Sequence, residues 1–176
     1  MHTCEDLIRV FNALFLNTEA TELEGGGVEP IYQPSTGAGR AHKIVFTSDY
    51  FSSGLHEVAH WCLAGKERRK QIDFGYWYNP DGRTAVQQQE FERVEVKPQA
   101  IEWFFSKSVG IKFRVSADNL QNDLGASVAF KRAVYTQTLA YIQNGLPTRA
   151  ARFSEALREF YRKAPLSNEN FSYSDL

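Results

Sequence analysis

Ser53-Gly54-Leu55-His56-Glu57-Val58-Ala59-His60-Trp61-Cys62-Leu63 is the segment around which this chain organises. Leu55, Val58, Ala59, Trp61, Cys62 and Leu63 make it largely apolar. The pattern predicts a buried helix from about Ser53 to Leu63 that ends near Gly65, with Ser48, Ser52 or Ser53 available as its cap. On such a helix His56 and His60, at i and i+4, share one face about a turn apart and converge on one divalent metal ion. Glu57 lies roughly 100° further around and reaches the edge of that site. There it is placed to take a proton from a metal-bound water, as in zinc peptidases with the HExxH pattern. Lys66, Arg68, Arg69 and Lys70 follow the helix, complement its C-terminal dipole and read as a solvated cap. Cys62 reads as a buried thiol.

Two histidines leave a metal short of protein ligands, so a third is expected. The extended HExxHxxGxxH form would need Gly at 63 and His at 66, where this chain has Leu63 and Lys66. His2 and His42 fall in a terminus and a loop and read as solvated. The better source is a carboxylate from the segment Glu90 to Glu102, where Glu92, Glu95, Gln99 and Glu102 recur at spacings of three and four. Glu95 stands between Val94 and Val96, and a carboxylate buried among apolar groups needs a partner or an ion. Glu95 is the first choice, with Glu92 and then Glu102 behind it. A set of two histidines and one carboxylate suits zinc, with a water nucleophile, or iron(II), with positions open to dioxygen. Ligand identity alone leaves that choice open.

Working outward, Leu7, Val10, Phe11, Leu14 and Phe15 at helical spacing predict a helix from about Cys4 to Leu16, with Thr3 and Asp6 in cap spacing. Asn17 to Lys43, broken by Gly25-Gly26-Gly27, Pro30 and Pro34, reads as loop with a short strand at Ile31-Tyr32. The triple glycine lacks the Lys-Ser/Thr of a phosphate loop and reads as a flexible turn. Ile44-Val45-Phe46 predicts a buried strand. Asp73 to Tyr78 predicts a further strand, closed by the turn Asn79-Pro80-Asp81-Gly82, with its aromatics offered to a pocket. Val86 to Lys107 predicts a long helix that Pro98 should bend or split. Lys112 to Val115 suggests a strand. Helices over about Ser127–Gln143 and Thr148–Tyr161 follow, and the polar tail from Ala164 reads as frayed.

Composition narrows the classes. At 176 residues one domain over 1–176 is expected. The hydrophobic fraction of 43% supplies a core and argues against disorder. A net charge of -1 gives no global field for nucleic acid or an anionic membrane. Cys4 and Cys62 form no CxxC, so a reducing compartment is the simpler reading. No basic-then-apolar leader and no apolar run near about 18 residues is found, so a soluble cytoplasmic protein is expected.

Several runs taken together resemble the elongation factor P hydroxylase family. They are His56 to Lys66, Arg68-Arg69, Asp73 to Tyr78, Pro80 to Arg83, Phe91-Glu92 and Val94 to Ala100. Weaker likeness appears in Glu29 to Tyr32, Asp118 to Leu120 and Ala151 to Phe153. The resemblance implies an α+β fold, a small mixed sheet packed with helices, with a zincin-like metal-binding helix carrying HExxH. It implies a bacterial cytoplasmic enzyme that hydroxylates the β-lysylated lysine of translation elongation factor P, with that factor and dioxygen as partners. His56 and His60 match two metal ligands and Glu95 the third, with Fe(II) the expected metal and zinc acceptable in purified protein. Glu57 would orient water or relay protons. The family is unlike 2-oxoglutarate hydroxylases, which place His-x-Asp and a distant His on a β-barrel, and no arginine placement here points to a 2-oxoglutarate site. Two rivals stand beside it. One is a zinc metallopeptidase or hydrolase with Glu57 as general base. The other is a non-catalytic module whose metal only joins helices.

Overall fold

The computed structural model describes residues 2–37, 39–73, 83–117 and 126–176. It is an α+β structure in which a mixed three-stranded sheet is packed with five α-helices, with short 3-10 turns among the described residues. The strands are β1 (Thr21–Gly27), β2 (Ile31–Gln33) and β3 (His42–Thr47), and the helices are α1 (Cys4–Glu19), α2 (Phe51–Leu63), α3 (Ala85–Val109), α4 (Val128–Asn144) and α5 (Thr148–Phe160).

β3 lies in the middle of the sheet, parallel to β1 and antiparallel to β2. The inward residues Thr21, Leu23, Ile44 and Phe46 are all buried. Leu23, Ile44 and Phe46 meet Leu7, Phe11 and Phe15 of α1, Leu55, Val58 and Trp61 of α2 and Phe153 of α5 in one core. A second core forms between α3 and α4 around Trp103, Phe113, Phe130 and Phe171. α3 joins the two, which explains why it is buried on most of its surface after Glu95.

Several expectations change. β1 occupies part of the stretch read as loop. Two of its glycines, Gly25 and Gly27, are required by close approach rather than by a turn. A Cβ at Gly25 would meet the Phe46 ring at 2.9 Å, and one at Gly27 would meet Val45 at 2.8 Å. The register slips between Glu24 and Gly27, and Gly26 has φ +85, so the run forms an irregularity that ends the strand. Pro98 does not split α3, which is one 25-residue helix. Proline removes a single ladder bond, and the buried turns on both sides hold the helix together. No serine caps α2. Its N-cap is Tyr50, and Ser53 Oγ instead accepts from the Thr47 amide. Lys112 to Val115 forms no strand with any described residue.

His2 and His42 are not simply solvated. His2 Nε2 lies 2.8 Å from the Val109 carbonyl at the end of α3, and His42 Nδ1 accepts from the Ser35 amide at 2.8 Å. The basic run after α2 is more than a solvated cap, because Arg68 pairs with Asp73 and Arg69 with Glu19. The tail is anchored rather than frayed. Phe171 is buried against Trp103 and Phe104, and Asp175 pairs with Lys107. The predicted aromatic strand lies outside the described residues beyond Asp73, whose main chain bridges to Tyr32. The 79–82 turn and residues 118–120 lie outside them too. Cys62 is buried, as expected.

Candidate metal centre

α2 leaves β3 through a tight turn in which Ser48 has φ 47 and exchanges main-chain bonds with Gly26 and Gly27. Gly54 then lets α2 press onto α1, where a Cβ would come within 2.6 Å of Leu7. At the far end Arg149, from the first turn of α5, donates to the carbonyls of Trp61, Cys62 and Ala64 and stacks 4.5 Å over the Trp61 ring. The Trp61 carbonyl also takes the Ala64 amide, while those of Cys62 and Ala64 have the guanidinium as their partner, and its charge complements the helix dipole. α2 is therefore fixed at both ends, and its polar face turns to α3.

On that face the rings of His56 and His60 lie edge to face, with centroids 4.6 Å apart and Nε2 atoms 3.0 Å apart. Glu95 reaches across from α3. Its Oε1 lies 3.2 Å from His60 Nε2 and its Oε2 3.5 Å from His56 Nε2. All three donor atoms fall within 4.8 Å of one another. Glu102, two turns further along the same face of α3, places Oε2 2.8 Å from His56 Nδ1. Glu92 takes no part; it accepts from the amide and hydroxyl of Ser127 at the start of α4.

The donor chemistry fits a divalent cation. Two imidazole nitrogens 3.0 Å apart either share a proton or face a common cation. Glu102 accepts the Nδ1 proton of neutral His56, which leaves the Nε2 lone pair aimed at His60 and Glu95. Glu95 is only 3% exposed, and a carboxylate so buried requires compensation. Burial by itself would lower the His56 pKa. The Glu102 hydrogen bond and the charges of Glu102, Glu95 and Glu57 outweigh it and push the group up to about 10. Burial would raise the Glu95 carboxyl, but His60 and His56 hold it down at about 2. In the ion-free protein a proton thus supplies the positive charge that these carboxylates demand, and a metal ion would take its place.

The cluster opens into a cleft of about 650 Å³. Glu57 lines it beside the histidines, and burial raises its pKa, opposed only in part by His56 and His60. The opposite wall is the segment that follows α3, including Lys112, Phe113 and Arg114.

The structure thus brings His56, His60 and Glu95 together, sets Glu57 at the edge and places Glu102 behind His56. Sequence reasoning had Glu102 only as an alternative ligand. Its place two turns from Glu95 was the available signal, but direct ligation and support of a ligand share that periodicity. The role of Arg149 had no local signal, because its carbonyl partners are distant in sequence.

A model of the elongation factor P hydroxylase family matches residues 10–171 of this chain. The chain is also 49% identical, over 160 residues, to the elongation factor P lysine hydroxylase of Haemophilus influenzae (strain ATCC 51907 / DSM 11121 / KW20 / Rd). That alignment covers 91% of this chain and 90% of the relative.

Proposed function

We propose that this chain, which belongs to the elongation factor P hydroxylase family, hydroxylates a side-chain carbon of the β-lysylated lysine of elongation factor P in the cytoplasm. The observation that carries the reading is the convergence of His56, His60 and Glu95 inside an open cleft of a chain from this family. These three residues would hold the metal ion, with Fe(II) the choice for an oxidative reaction. Bound there, it would supply the activation of dioxygen at positions that three protein ligands leave open.

The residues of the chain have distinct tasks. Glu102 keeps the Nδ1 proton on His56 and so presents Nε2 as a donor. Glu95 brings negative charge to the centre. Glu57, at the edge of the cleft with a raised pKa, holds and relays a proton. Glu95 and Glu102 offset the charge of a bound dication, so a cationic lysyl side chain would meet no net positive charge at the cleft floor. In the balance of the reaction one oxygen atom enters a C–H bond and the other leaves as water. That requires two electrons and two protons from an external reductant.

The test is mass spectrometry of β-lysylated elongation factor P after incubation with iron-loaded protein, dioxygen and a reductant. One added oxygen on the modified lysine is expected, and it should vanish with His56→Ala or His60→Ala together with bound metal. An active variant of either kind removes the proposal. Peptide cleavage by zinc-loaded protein, with no added oxygen on the factor, would favour the metallopeptidase reading instead.

A further inference from the structure

The wall opposite the histidines has an unusual construction. After α3 the chain doubles back along that helix and is pinned at its ends. The Ile111 amide donates to the Ser106 carbonyl. Gln99, 1% exposed, takes both main-chain groups of Ser116, accepting from its amide at 3.0 Å and donating to its carbonyl at 2.7 Å. Arg83 and Gln88 donate to the Ala117 carbonyl. Between these anchors Phe113 is buried against Trp103, while Lys112 and Arg114 are exposed. The burial alternates residue by residue, as in an extended segment.

Among the described residues, the middle of this segment has no main-chain partner: no hydrogen bond reaches the amide or carbonyl of Lys112, Phe113, Arg114 or Val115. Ile111, Lys112, Phe113 and Arg114 nevertheless all border the cleft. Neighbouring side chains of an extended segment point to opposite faces, so four consecutive residues border one space only when the main-chain edge itself faces it. Gln99 also sets the distance of this edge from the metal centre, since its Nε2 lies 3.5 Å from Glu95 Oε2.

We propose that Lys112–Val115 is a docking edge that takes an extended stretch of the substrate protein, next to the target lysine, by main-chain pairing. The inference rests on the hydroxylase reading. A macromolecular substrate must carry its backbone past the cleft mouth if one side chain is to reach the floor. The cleft floor takes the side chain, and the pinned edge supplies donors and acceptors whose ordering is already complete. Phe113 holds the edge in place, and Lys112 and Arg114 frame it without being its main source of binding.

Amide hydrogen exchange on the zinc-loaded protein tests this, with zinc as an ion that permits binding without turnover. Saturation with β-lysylated elongation factor P should slow exchange within 112–115 at least tenfold, at alternate residues. Arg114→Pro and Val115→Pro each remove one amide, and these amides point to opposite edges. One of the two should raise KM about three- to tenfold with kcat retained, while the other leaves KM unchanged. Exchange in 112–115 that stays unchanged in the saturated complex, while the iron-loaded protein still adds oxygen to the factor, overturns the docking edge alone. Absence of added oxygen on the factor overturns the hydroxylase reading and the docking edge with it.

Discussion

Replacing Glu102 by alanine separates a ligand from a residue that supports one. Its Oε2 is 2.8 Å from His56 Nδ1, on the side of the ring away from His60 and Glu95. Removing the carboxylate leaves His56 free to carry its proton on Nε2, where it blocks the metal. The cost is that of fixing a tautomer and a ring orientation, on the order of a 10- to 100-fold loss in metal affinity, or about 1.4–2.7 kcal/mol. Glu102→Gln keeps an acceptor for Nδ1–H but loses the charge, so it should fall between alanine and the parent. Competition against a chromogenic chelator, with zinc as the probe, reads both constants, and a thermal melt of the metal-free variants shows that each is folded. Two results would refute the reasoning. An unchanged affinity in Glu102→Ala means that the contact orients nothing. Complete loss of stoichiometric binding, matching Glu95→Ala, means that Glu102 coordinates directly.

Other outcomes follow from the same geometry. Glu95→Ala should abolish metal retention by elemental analysis while Glu92→Ala keeps it, because the Glu92 contacts are with Ser127; the opposite pattern would exchange their roles. In metal-free protein His56 has a folded pKa above its ordinary value of 6.5, at about 10. Its stabilising contribution is therefore full below about pH 6.5 and lost as pH rises toward 10, so urea midpoints of the apo protein should fall across that window. Metal should flatten that fall, and proton release on metal binding, read in buffers of different ionisation enthalpy, should diminish toward pH 10. Arg149→Ala strips the Cys62 and Ala64 carbonyls of their donor and should cost on the order of 1–3 kcal/mol in urea unfolding. Gly54→Ala forces a contact with Leu7 and should destabilise by about 1–3 kcal/mol; a neutral result would mean that α1 and α2 can separate without cost.

Much of the site could be read before the fold. His56 and His60 share a helical period, and Glu95 could be singled out because its apolar neighbours made an unpaired carboxylate improbable there. Pairwise geometry across helices could not be read, so Glu92 and Glu102 stood as alternatives to Glu95 until α3 was set against α2. The helices were legible from their apolar periods and, for α1, from the Thr3 cap; the Thr84 and Ser127 caps of α3 and α4 emerged only with the structure. β1 was not, because three glycines suggest a turn locally. The real reason for Gly25 and Gly27, the passage of Phe46 and Val45 overhead, belongs to a strand that comes later in the chain. Pro98 misled in the opposite direction: a local penalty was outweighed by packing on both sides of it. The histidines outside the motif found hydrogen-bond partners at Val109 and Ser35 that no local pattern announces.

Because the candidate ligands come from two helices, with Glu95 on α3 and the imidazoles on α2, an ion held there would act as a rivet across their seam. Its binding free energy would add to the cohesion of that seam and to no other part of the molecule in the same degree. Where metal is withheld, the first place to loosen would then be the cleft itself. Proteolytic nicking near the start of α3 would become a sensitive gauge of how fully a population of molecules is charged with metal.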